Sequence, residues 1–152
     1  MIVGRDYLTS GSKQSMMLAS SMNNRFKFRV WDKLAERMIY PHNDNQQHFI
    51  IDLNGRFHNL QNGSGGDDYV IQQYTGLNDN NDDPIYEGDI LKISYGTMGD
   101  VIGQVLYEAD EGGYIFQWKR KGRNQDYNNL NCDLAFESVI VGNIFEHSEL
   151  LK

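Results

Sequence analysis

An excess of seven acids, 21 Asp and Glu against 14 Lys and Arg in 152 residues, argues against sequence-independent DNA binding, which depends on cationic side chains neutralising phosphates. The single Cys132 excludes an internal disulfide and fits a reducing compartment, and no apolar run approaches the roughly 20 residues needed to span a bilayer. Nine Tyr, seven Phe and 15 Gly against two Pro lean toward β structure in one compact domain, or a small domain with an attached subdomain.

The charge is unevenly spread. Residues 38–118 hold 13 acids and two bases, Arg56 and Lys92, a balance of −11, and the flanks carry +4. An acidic middle is first a device for solubility. It is also a surface that meets a basic partner or mimics nucleic acid.

Residues 1–22, with Gly4, Ser10-Gly11-Ser12, Ser15 and Ser20-Ser21, show no period. They read as a flexible leader or an added extension. From Arg25 to Trp31 the pattern alternates, with Phe26, Phe28 and Val30 on one side and Lys27, Arg29 and Trp31 on the other. That is a half-buried strand. Met38-Ile39-Tyr40 is its short return. Gln47 to Leu53 and Arg56 to Leu60 are two strands, and Asn54-Gly55 between them predicts a two-residue type I′ hairpin. These elements form an N-terminal β-meander over 23–61. Asn62-Gly63-Ser64-Gly65-Gly66-Asp67-Asp68 is the candidate boundary.

The second unit, 69–152, carries strands over Tyr69–Tyr74, Asp89–Tyr95, Val101–Glu108, Tyr114–Lys119 and Ser138–Phe145, separated by glycine turns. Residues 122–131 read as a polar loop, and Ser148–Leu151 as a single helical turn. The fold class is therefore mainly β, a small antiparallel meander plus a curved, barrel-like (SH3-like) unit with few short helices. Residues 23–152 also allow one composite domain.

The chemical motifs are weak. Asn78 to Asp83 imitates a calcium loop, but Asn78, Asp83 and Asp89 stand where Asp, Gly and Glu belong, so it reads as a polar turn. Glu87-Gly88-Asp89 offers two carboxylates for acid–base work, against a structural reading in which Gly88 makes a turn and Asp89 binds local backbone N–H groups. Trp118, Lys119, Arg120, Lys121 and Arg123 combine aromatic and basic groups as single-stranded nucleic-acid sites do. Arg25, Lys27 and Arg29 beside Trp31 form a second such cluster. The four His and Cys132 lack zinc-site spacing. No metal, cofactor or catalytic residue is expected.

One set of motifs carries a resemblance. Phe26-Lys27-Phe28-Arg29-Val30-Trp31-Asp32-Lys33, Gln73-Tyr74-Thr75-Gly76-Leu77, Ile85-Tyr86-Glu87-Gly88-Asp89-Ile90 and Val141-Gly142-Asn143-Ile144-Phe145-Glu146 are similar in order and spacing to the YopX family of phage and prophage proteins. The resemblance spans residues 26–151. His147-Ser148 stands where the family often has Asn-Pro. It implies a small, mostly β protein that acts in the cytoplasm of a bacterial host, with no reaction to carry over. Trp31, Asp32, Tyr74, Gly76, Tyr86, Glu87, Gly88 and Asp89 then read as fold determinants. The expected function is a non-enzymatic accessory protein that binds a host or phage protein. The alternative is a nucleic-acid-associated protein of phage replication or recombination, bound to single strands. A third reading, an enzyme, rests on Glu87 and Asp89 alone. No membrane is expected as a partner, and self-association into a homo-oligomer stays open.

Overall fold

The computed structural model describes residues 26–40, 48–96, 99–119 and 125–152. The leader, Arg25, Arg120, Lys121 and Arg123 lie outside them. The chain is mainly β, and among the described residues all strand pairings are antiparallel.

Strand β1 (Phe28–Asp32) pairs with β2 (Arg37–Ile39) on one side and with β5 (Tyr69–Asn78) on the other; β6 (Pro84–Tyr86) pairs with the far end of β5, completing a sheet of order β2-β1-β5-β6. Strands β3 (Phe49–Ile51) and β4 (Phe57–Asn59) form a separate hairpin. The remaining strands are β7 (Asp89–Ser94), β8 (Asp100–Glu108), β9 (Gly113–Lys119), β10 (Gln125–Asn129) and β11 (Ser138–Asn143). They make a five-stranded sheet of order β10-β9-β8-β7-β11, curled into a half-barrel.

Strand β1 departs from its sequence reading. It is not half-buried: Arg29, Val30, Trp31 and Asp32 are all buried. Val30 joins Ile39 and Phe57 in a core lined by Phe49, Ile51, Tyr69 and Ile71, so one face of β1 is capped by the β3–β4 hairpin. The other face carries Arg29 and Trp31, and the Trp31 ring stacks on Phe145 at 5.1 Å. The alternation is real, but its polar side is covered as well, because Arg29 is buried by a partner distant in the chain.

The glycine stretch at 62–68 does not separate two sheets. Strand β5, expected to open the C-terminal unit, pairs with β1 from Phe28↔Gln73 to Asp32↔Tyr69. The Asn54-Gly55 turn also differs. Gly55 has φ of 74° but Asn54 is not left-handed, which excludes type I′. Instead the Asp52 carboxylate accepts the N–H groups of Asn54 and Arg56 at 2.8 and 3.0 Å and meets His58 Nε2 at 3.1 Å.

The expected polar loop at 122–131 contains β10. Its sequence, Gln-Asp-Tyr-Asn-Asn, has no apolar face because it is an outer strand. A short helix follows, α1 (Cys132–Glu137), whose first turn is capped by Asn131 accepting the Leu134 N–H at 2.9 Å. It buries Ala135 in the half-barrel core beside Ile85, Leu91, Ile93, Val105 and Phe116. Each of these larger side chains contributes about 1.5–3 kcal/mol by leaving water.

Gly103 sets the spacing inside that core. A Cβ there would lie 2.4 Å from the Gln117 carbonyl oxygen and 2.8 Å from the Phe116 ring. Gly103→Ala should cost about 1–3 kcal/mol through overpacking, read as a lower urea midpoint at unchanged slope. An unchanged midpoint would show that β8 and β9 can part freely.

Candidate functional site

The chain passes from the first sheet to the half-barrel through Glu87-Gly88, between β6 and β7. That turn is anchored on three sides by backbone bonds. Glu87 N–H donates to the Gln73 carbonyl at 2.9 Å, Gly88 N–H to Val105 at 2.8 Å, and Ile144 N–H to Gly88 at 2.9 Å. Gly88 has φ of 80°, a conformation that favours glycine. It also has no room: a Cβ would lie 1.9 Å from Gln72 Nε2.

Arg29 enters this junction from β1 and is 4% exposed. Its Nε donates to Gln72 Oε1 at 2.8 Å. Its Nη2 lies 2.6 Å from Asp89 Oδ1 and 3.4 Å from the Glu87 carbonyl oxygen. The guanidinium sits 4.9 Å from the centre of the Tyr86 ring, a cation–π distance. The Asp89 contact is an ion pair, and among the described residues Oδ1 has no partner besides Arg29. Oδ2 accepts the Tyr86 N–H at 2.7 Å. Burial pushes the Asp89 carboxyl above its ordinary range, and Arg29 and the Tyr86 N–H oppose that rise.

The expected local role of Asp89 is thus joined by a long-range ion pair that the sequence reading missed. The same geometry corrects two expectations. Arg29 does not belong to a surface basic cluster, and Lys27 lies over the Tyr74 ring at 5.3 Å. Trp31 is 9% exposed against Phe145. Asp89 is also not paired with Glu87 in one cleft, because it is 1% exposed.

The other motif residues support the same junction. Asp32 Oδ1 accepts the N–H groups of Leu34 and Ala35, both at 3.0 Å. Tyr74 packs on Tyr86 with centroids 5.8 Å apart. Gly76, at φ of 89°, lies where the pairing of β5 with β6 shifts register. In the acidic loop, Asp79 is buried and accepts three backbone N–H groups, from Asn81, Asp83 and Ile140. That is a turn locked onto β11, as the polar-turn reading requires. Among the described residues no group of three His, Cys, Asp or Glu is placed to hold a metal ion.

Glu87 differs from these spent carboxylates. It is half-buried and lines a cleft of about 590 Å³ with Gln73, Tyr107, Gly112, Gly113 and Tyr114. Burial raises its pKa, and the Tyr107 N–H it accepts only partly opposes this. The neighbouring Tyr114 phenol is raised too, first by burial and then by the Glu87 charge. Tyr107 and Tyr114 meet edge to face at 5.5 Å. Neither tyrosine was singled out by the sequence reading; their cross-strand pairing at the end of the β8–β9 hairpin is visible only in the fold.

The nucleic-acid candidates are divided. Trp118 stacks on Phe116 at 5.3 Å and packs against the half-barrel core. Lys119 is exposed. Both border a second cleft of about 360 Å³ that also contains Asp100, Gln104, Gln117 and Leu151.

Two predictions follow from the carboxylates. Asp89→Asn leaves Arg29 buried without a counter-charge, and should cost about 3–5 kcal/mol in urea unfolding. Replacing both groups, as Arg29→Met with Asp89→Leu, should recover part of that loss, the Tyr86 N–H being left without its acceptor. Equal losses for the single and double variants would show that the pair is not coupled. For Glu87 the substitution is expected to stabilise. A raised pKa in the folded state means stability present at low pH and lost as pH rises through the folded value. Glu87→Gln should therefore be more stable than the parent at pH 7, with the gap closing in acid. A variant less stable at pH 7 would contradict this.

Among curated proteins none matches the chain. A solved structure, protein EF1440 from Enterococcus faecalis, is similar to it at 25% identity with a TM-score of 0.52, covering 83% of this chain and 97% of that one. Residues 27–152 match the family described as YopX protein, and the chain belongs to that family.

Proposed function

We propose that this YopX-family chain is a phage-encoded, non-enzymatic accessory protein that binds a basic protein partner in the host cytoplasm. The observation that carries the reading is uncompensated surface acidity. Asp67, Asp68, Asp82, Asp83, Asp110 and Glu111 are exposed, and Arg56 is the one exposed base among the described residues of 49–118. None of these six acids lies in an ion pair among the described residues. Such a field steers a basic partner and repels nucleic acid. The non-enzymatic reading is supported by where the carboxylates go: Asp79 and Asp89 are buried and engaged by backbone N–H groups and, for Asp89, by Arg29, and among the described residues the cleft that Glu87 lines has no second carboxylate. No helix among the described residues is long and apolar enough to cross a membrane.

The test is capture from bacterial lysate on the immobilised chain. A specific protein should be retained at low salt, released as salt rises, and lost from a variant carrying Asp110→Lys and Glu111→Lys. Recovery of nothing above background would sink the reading. A salt-sensitive mobility shift of labelled single-stranded DNA that survives the charge reversal would favour the nucleic-acid alternative instead.

A further inference from the structure

The chain contains a worked example of how it holds a guanidinium. Arg29 is gripped by a carboxylate (Asp89), a glutamine amide (Gln72) and the face of a tyrosine (Tyr86). The next residue along β5 and the other acid of the turn line the neighbouring cleft, which again combines a carboxylate (Glu87), a glutamine (Gln73) and tyrosines (Tyr107 and Tyr114). Successive residues of a strand face opposite ways, which separates Gln72 from Gln73, and the turn at Gly88, with φ of 80°, separates Glu87 from Asp89, so the two segments serve two adjacent sites. The first is filled from within the chain. No Lys, Arg or His among the described residues pairs with Glu87.

We propose that the cleft between β5 and the β8–β9 hairpin receives an arginine side chain presented by a partner protein, a proposal that rests on the protein-binding reading above. The chemistry fits each wall. A carboxylate takes a guanidinium through charge-assisted hydrogen bonds. Aromatic rings take its faces. Gly112 and Gly113, which carry no side chains, leave the hairpin end open to an incoming chain. Glu108, Asp110 and Glu111 add negative charge on the same hairpin, and Glu111 accepts the Tyr127 hydroxyl at 2.9 Å. The carboxylate is therefore set in a field that draws cations toward it.

The test uses the full chain labelled with ¹⁵N and titrated with the capped tripeptide Gly-Arg-Gly. The same peptide with citrulline in place of arginine removes the charge, and one with lysine removes the planar fork. Arginine should shift the backbone amides of Tyr107, Gly112, Gly113 and Tyr114 saturably. Citrulline should leave them unmoved, and lysine should bind more weakly. Glu87→Gln should weaken the arginine peptide about tenfold or more. Tyr107→Leu, at an exposed ring, should weaken it by roughly threefold or more. Unsaturable shifts spread over the acidic surface and unaffected by Glu87→Gln would overturn the assignment. So would equal binding of lysine or citrulline. Capture of the same lysate protein by Glu87→Gln as by the parent chain would reject the cleft and leave the protein-binding reading standing. Failure of both chains to capture would reject that reading as well.

Discussion

The structure depends on a charge that cannot be left alone. The Arg29 guanidinium is buried where two sheets meet. Its needs explain the surrounding residues. Asp89 must reach it, so β7 must begin immediately after the turn. Gln72 must reach it, so Gly88 must lack a side chain, since a Cβ would collide with the Gln72 amide. Tyr86 must lie flat against it, so β6 must end in an aromatic. A motif that looks like a short acidic run is, in this light, one wall of a guanidinium site. Buried ion pairs contribute little net stability compared with apolar packing. What this one supplies is register. Arg29 opposes Gln72 across β1 and β5, and a slip of one residue would turn Arg29 toward the apolar core of Val30, Ile39 and Phe57.

The same junction explains why the last strand ends as it does. After β11 the chain turns at Asn143, whose Oδ1 accepts the N–H groups of Phe145 and Glu146, both at 3.0 Å. That turn carries Phe145 onto Trp31 and puts the Ile144 N–H on the Gly88 carbonyl. Gly142 is hemmed in by His147, whose ring would lie 2.7 Å from a Cβ. Three segments far apart in the chain therefore close on one point. A family motif spread over most of the chain is the expected trace of such a closure.

Much of this architecture is legible in the sequence, and the illegible parts share a cause. Strands such as β8 and β9 are marked by the glycine turns that bound them. The elements that escape notice are those whose surroundings come from elsewhere in the chain. Strand β10 has no apolar face because β9 alone supports it. Helix α1 is too short to show a period, and its cap at Asn131 sits inside a run of Asn and Leu that resembles a loop. Arg29 looks like surface charge beside Lys27 because the acid that neutralises it lies 60 residues downstream. The glycine-rich stretch at 62–68 signals flexibility, yet β5 beyond it returns to pair with β1. In the candidate site, Glu87 was legible through its motif. Tyr107 and Tyr114 were not, because only the hairpin register brings them to it.

Glu87 sits in a motif whose other polar members are consumed by the fold. Asp32 and Asp89 each satisfy buried or turn N–H groups, and removing either would leave donors unpaired. Glu87 receives one backbone N–H and otherwise faces a cleft, with a carboxyl that burial makes harder to ionise. A neutral glutamine would meet the same N–H without that desolvation cost. A partly buried carboxylate held at the expense of stability is more often there to meet something than to hold the fold. Its neighbours sharpen what that something is. The turn that delivers Asp89 inward to an arginine of the chain delivers Glu87 outward, two residues earlier, among the same kinds of groups. One glycine turn thus satisfies an internal cation on one side and sets a carboxylate, a glutamine and two tyrosines around a cleft on the other.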